Sequence, residues 1–200
     1  MADKKEDRRI QRTRSMLHEA LMDLIVEKGY AAITIQDLID RANIGRSTFY
    51  AHFTDKEELL LDNINQLKAF LVEQIDKRTA ADRTEAVRFE FSLALLQHVQ
   101  SHKLMYRATV GKPSGTIVVH HIQQMIAELA RDEITDRLPF EGTAFIPRDV
   151  VVEFAVNTLV TLVNWWMRGN THHSAIEVDQ MFHQLILSGI KQQREHTLTE

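Results

Sequence analysis

The sequence predicts an all-α protein of about nine helices, in which a small three-helix domain, residues 1–56, precedes a larger helical domain, residues 57–200. Three observations carry this reading. Apolar residues recur at spacings of three and four along almost the whole chain, the period of one helix face. No segment shows the period-2 alternation of a half-buried strand. A Thr or Ser followed three residues later by an acid, the signature of a helix start, occurs at Thr34–Asp37, Thr54–Glu57 and Ser174–Glu177.

Taken in order, the first helix is expected over residues 9–28, with Leu17, Leu21, Leu24 and Ile25 on its buried face and Gly29 as its stop. Tyr30 and Ile33 read as core anchors. Thr34 then opens a short helix ending near Ala42, Asn43 suits a left-handed turn residue, and a second short helix is expected over residues 46–53. Its Phe49 and Phe53 are four apart and must face inward together. Thr54 starts a long helix through Leu60, Ile64, Leu67, Leu71 and Ile75, ended by a polar break over residues 78–83. Further helices are expected over residues 84–102, 104–110 and 116–138, followed by a loop over residues 139–147. A final pair, residues 148–168 and 174–194, is split at Gly169-Asn170.

Composition narrows the function classes. With 44% hydrophobic and 26% charged residues, the chain reads as a folded globular protein. It has no cysteine, which rules out disulfides, thiolate metal sites and cysteine nucleophiles. The N-terminal stretch is charged and lacks the apolar run of a secretory signal, and the most apolar stretch, residues 150–167, is interrupted by Glu153, Asn157 and Asn164. No membrane span and a cytoplasmic location are therefore expected. The net charge is −4, yet residues 4–14 hold six basic side chains against two acidic ones, so a basic arm sits on an acidic body.

Two short helices joined by a tight turn, with a supporting helix before them, form a helix-turn-helix, whose second helix enters the DNA major groove. With Phe49 and Phe53 buried, Arg46, Ser47, Tyr50, Thr48 and His52 point outward. These are donors suited to guanine, base edges and phosphates. The segment TIQDLIDRANIGRSTFYAHFTDKEELL, residues 34–60, resembles the DNA-binding domain of the TetR family of transcriptional regulators: Thr34, the turn Ala42 to Ile44, Thr48 to Phe53, and Lys56-Glu57 stand where the family's motif has its marks. The resemblance implies that Thr34, Tyr50, His52 and Lys56 hold phosphates and that Arg46, Ser47 and Thr48 face bases. Asn43 replaces the usual turn glycine, and Gly45 stands where a small hydroxyl residue commonly caps the recognition helix.

The resemblance further implies a repressor that leaves a palindromic double-stranded DNA operator when a small-molecule effector binds, and a homodimer formed through the last two helices. Phe70, Phe91, His98, Tyr106, Asn164 and Trp165 are candidates for the effector pocket; His98, Tyr106 and Asn164 serve equally well as satisfied core polars, and Trp165 as core or interface. No cofactor or metal site is expected, because adjacent histidines such as His120-His121 and His172-His173 diverge by about 100° on a helix. A helical enzyme or a protein-interaction module is the competing class. The enzyme reading lacks a phosphate loop, a nucleophile elbow or a zinc-binding helix motif, and the interaction reading leaves Arg46, Ser47 and Tyr50 without a task.

Overall fold

In the computed structural model, residues 2–79, 89–110, 112–137, 146–169 and 171–197 are described, with side chains for residues 8–75, 89–110, 112–134, 146–169 and 171–186. The expected polar break and the loop before the last helix pair fall largely outside the described residues, as does Asn170. Among the described residues there are nine α-helices and no strand: α1 Ala2–Lys28, α2 Ile35–Ala42, α3 Arg46–Tyr50, α4 Lys56–Thr79, α5 Glu90–Ser101, α6 Lys103–Thr109, α7 Thr116–Arg137, α8 Arg148–Arg168 and α9 Ala175–Thr197. Two 3-10 turns, Tyr30–Ala32 and Pro113–Gly115, complete the order.

The helix starts follow local chemistry. Thr34 accepts the Asp37 N–H at 3.2 Å while the Asp37 carboxylate accepts the Thr34 N–H at 2.7 Å, a complete capping box. Ser174 and Glu177 do the same for α9. The box expected at Thr54–Glu57 is displaced by one residue: Asp55 accepts the N–H groups of Glu57 and Glu58, and Glu58 reaches back to the Thr54 N–H at 2.6 Å. An ionised carboxylate at the cap outcompetes a hydroxyl for these donors. The first helix is also longer than expected, beginning at Ala2 rather than near Arg9.

The chain divides into two compact units, Met1–Leu67 with Leu104–His121, and Lys68–Lys103 with Ile122–Glu200. Helices α4 and α7 each run from one unit into the other. In the first unit, Leu17, Leu21 and Ile25 of α1, Leu38 of α2, Phe49 of α3 and Leu59 of α4 are completely buried. Gly29 ends α1 at φ 78, a left-handed value that strains residues with a side chain. A Cβ there would also stand 2.9 Å from the Ser114 side chain.

In the second unit, α9 packs on α5 and α8, and α5 on α8. Phe89, Phe91 and Phe182 form an aromatic centre, with ring centroids 5.5 Å apart for Phe89–Phe182. Buried Ser92 and Asp179 meet beneath it at 2.5 Å. Glu133 of α7 accepts the N–H groups of Glu90 and Phe91, so the start of α5 is capped by another helix rather than by its own sequence. By length and composition α8 could cross a membrane. Its Val152, Ala155, Leu159, Trp166 and Met167 are buried within this unit, as in a core helix.

Candidate nucleic-acid interface

The reading helix is set by the turn before it. Asn43 adopts φ 50, ψ 51 and closes α2 through its N–H to Asp40 and Ile39, the left-handed conformation that Asn tolerates better than most residues. Gly45 then starts α3 with no side-chain cap. Regular helix ends at Tyr50, earlier than the sequence implied, although Phe53 N–H still bonds Phe49 O at 2.9 Å. Phe49 is completely buried and Phe53 nearly so.

Burying these two rings turns the opposite side of α3 outward. Arg46, Ser47 and Tyr50 are exposed, and Thr48 and His52 are half-buried. The Arg46 guanidinium lies 5.9 Å from the Tyr50 ring centroid, a cation–π distance that orders both side chains. Five donor-bearing groups are thus gathered on less than two turns.

Thr34 and Lys56 are engaged within the protein. Besides closing the capping box, the Thr34 hydroxyl donates to Asp37 at 2.6 Å. Lys28 lies 2.7 Å from the same carboxylate and, with Thr34, holds Asp37 well below the usual carboxylate range. The Lys56 ammonium donates to the carbonyls of Tyr30, Ala31 and Ile33 at 3.2, 3.4 and 2.8 Å, and sits 4.7 Å from the Tyr30 ring centroid. Its three protons staple the 3-10 turn that leads into Thr34. That staple joins residues more than twenty positions apart, so no helical periodicity could announce it.

A second tie was equally silent in the sequence. Asp62 of α4 receives Arg14 at 2.5 Å and His18 at 2.7 Å, both from α1. Gln66 stands 3.0 Å from the other His18 nitrogen. Burial lowers the His18 pKa against the opposing pull of Asp62. Gln66 is hydrogen-bonded to Nδ1, while Nε2 faces the Asp62 carboxylate without a hydrogen bond of good geometry. The Arg14 guanidinium also covers the Phe53 ring at 4.9 Å.

The six effector-pocket candidates are dispersed. Phe91 is wholly buried in the second unit's aromatic centre, Tyr106 is buried in the first unit, and the Asn164 amide donates to Val160 O of its own helix. Phe70 and His98 approach each other, with ring centroids 6.3 Å apart. Trp165 is partly exposed and lines a shallow hollow of about 490 Å³ with Leu162, Met181, Gln184 and Leu185.

His98 stacks on His102 at 4.1 Å. Burial, helped by the His102 charge, pushes the His98 pKa down from 6.5 to about 4. Between these values the unfolded chain binds the extra proton and the folded one does not, so stability rises with pH across that window. The protein is expected to lose stability as pH falls from 6.5 toward 4, and His98→Gln to flatten that part of the profile. Thermal melts across the range check it; an unchanged slope in the variant would count against His98 as the source.

Residues 17–62 match the family described as bacterial regulatory proteins, tetR family, and residues 89–188, half of the chain, match one described as transcriptional regulator C-terminal region. The chain belongs to the TetR family. It is a DNA-binding transcriptional regulator; regulators of this family bind DNA operators and small-molecule ligands, typically as dimers. The chain is 38% identical over 95 residues to the uncharacterized HTH-type transcriptional regulator YxbF of Bacillus subtilis (strain 168), which covers 47% of this chain and 25% of that protein. The chain therefore spans only a quarter of that relative's length. It is 24% identical over 182 residues to the HTH-type transcriptional regulator TcmR of Streptomyces glaucescens, covering 86% and 80% of the two chains. A crystal structure of a TetR transcriptional regulator from Streptococcus agalactiae 2603V superposes with a TM-score of 0.66 at 24% identity, over 92% and 98% of the chains.

Proposed function

We infer that this TetR-family protein is a cytoplasmic repressor that binds a palindromic operator as a homodimer and leaves it when a small molecule binds. The observation that carries the operator reading is the outer face of α3. Arg46, Ser47 and Thr48 stand at its start, the end that meets base edges in a helix-turn-helix, while Tyr50 ends it and His52 lies in the turn just beyond, placed to meet phosphates. Thr34 and Lys56 flank the same surface; with their donors engaged internally, they act on the DNA backbone chiefly through the turn they hold in place and, for Lys56, through its charge. Effector entry beside Phe70 and His98 is supported by the contact of their rings within the second unit. Release is supported by continuity, since α4 and α7 each belong to both units.

The operator reading is tested by Arg46→Ala. A bidentate arginine–guanine contact contributes about 1–3 kcal/mol of discrimination. The variant is expected to lose that amount at one base pair per half-site while keeping its affinity for random duplex. Selection from a random-sequence pool, run with both proteins, reads the change directly. Identical enriched sequences from the two would remove Arg46 from base recognition.

A further inference from the structure

Residues 8–12 of α1 are exposed without a break: Arg8, Arg9, Ile10, Gln11 and Arg12 all face solvent. A helical stretch with every side chain turned outward buries nothing of its own, so it bridges to something else or is carried by its charges. Four other basic groups of this unit are engaged: Arg14 with Asp62, Lys28 with Asp37, Arg41 with Asp23 and Glu27, and Lys56 with backbone carbonyls. Arg8, Arg9 and Arg12 take part in no ion pair among the described residues. In a chain of net charge −4, three exposed arginines within little more than one helical turn form a local cationic patch.

Its position follows from one contact. The Arg14 guanidinium covers the Phe53 ring at 4.9 Å, and Phe53 directly follows the last residue of the reading face, His52. From Arg14 to Arg8 the helix axis advances about 9 Å, a span of roughly two or three nucleotides of one DNA strand at about 3.4 Å each. We propose that Arg8, Arg9 and Arg12 bind DNA phosphates beside each half-site, making α1 a second, sequence-independent DNA contact. Long flexible cations on a solvated helix suit phosphates rather than base edges, because they supply charge without a fixed orientation.

This contact rests on the operator reading above, and the test separates the two. The probe is a duplex enriched from a random-sequence pool by the wild-type protein, in a long form and a form trimmed to the palindrome. Binding is followed by fluorescence anisotropy across a salt series, for the wild type and for a variant carrying Arg8→Ala, Arg9→Ala and Arg12→Ala. Each lost phosphate contact lowers the slope of log K against log salt by about 0.9, so the slope should fall by up to about 2.7 per half-site. Trimming should weaken the wild type and leave the variant unaffected. A version with Lys at all three positions should recover the slope, which a merely structural role for the arginines would not require. Alanine preserves helix propensity at these exposed sites, and matching thermal melts confirm that the variant is folded. Equal slopes on the long duplex for variant and wild type overturn the α1 contact while leaving the operator reading intact. Failure of the wild type to enrich any sequence overturns the operator reading and the α1 contact with it.

Discussion

Phe49→Ala is expected to unfold the DNA-reading unit at temperatures where the wild type is intact. The ring is completely buried, meets Tyr50 edge-on at 5.4 Å and approaches Phe53 at 6.3 Å. It belongs to a five-residue helix that has no side-chain cap and is too short to persist by its own propensity. Truncating a buried Phe to Ala costs about 3–5 kcal/mol, against a total stability of roughly 5–15 kcal/mol for a domain. Tyr50→Ala, on the exposed side of the same helix, should change stability far less while weakening DNA binding. Urea titrations followed by circular dichroism, with limited proteolysis around α3, distinguish the two. If Phe49→Ala melted within about 1 kcal/mol of the wild type, the inward assignment of this ring, and with it the outward face opposite, would have to be abandoned.

The contrast between these aromatics explains what the sequence could disclose. Spacing of four places Phe49 and Phe53 on one side, and the donors fall on the other by exclusion; the capping boxes at Thr34 and Ser174 and the left-handed Asn43 are likewise decided within a few residues. Local chemistry of this kind is legible because each partner lies within one helical turn of the other. Even there competition intrudes, as when Asp55 takes the cap that Thr54 was expected to hold. Lys56 on the Tyr30–Ala32 turn, Asp62 on Arg14 and His18, and Glu133 on the start of α5 join residues from 23 to 48 positions apart. Such pairs depend on how helices pack, and no spacing rule encodes them. The effector candidates suffered from the same blindness: an apolar or polar side chain near the middle of a helix has a face, but nothing local says which neighbour it meets.

Leu185→Glu, alone or with Trp165→Glu, is expected to give a folded monomer with operator affinity reduced by about a hundredfold or more. Phe154, Trp165 and Leu185 leave 54%, 42% and 52% of their surfaces exposed. On α8, Val150, Phe154 and Trp165 follow one stripe at spacings of four and eleven, and Met181 and Leu185 of α9 border the same hollow as Trp165. Exposed apolar side chains of this kind are what a contact with another chain would cover, and a two-fold axis would let one such surface satisfy itself. A glutamate at 185 leaves the buried side of α9, Val178, Phe182 and Ile186, untouched, so the protomer should keep its fold. It would place two like charges across the axis in an apolar contact, where an unpaired charge costs several kcal/mol. The DNA consequence follows from bivalency. A dimer presents its second reading helix at an effective concentration set by the first, which raises affinity by about 10²–10⁴ over a single half-site contact. The monomer forfeits that factor but keeps Arg46 and Tyr50, so affinity for an isolated half-site should be nearly unchanged. Light scattering gives the mass, and anisotropy with full and half operators gives the two affinities. A variant that remained dimeric and bound the full operator as wild type does would move the interface elsewhere; one that became monomeric without losing affinity for the full operator would show that the palindrome is not read by a dimer.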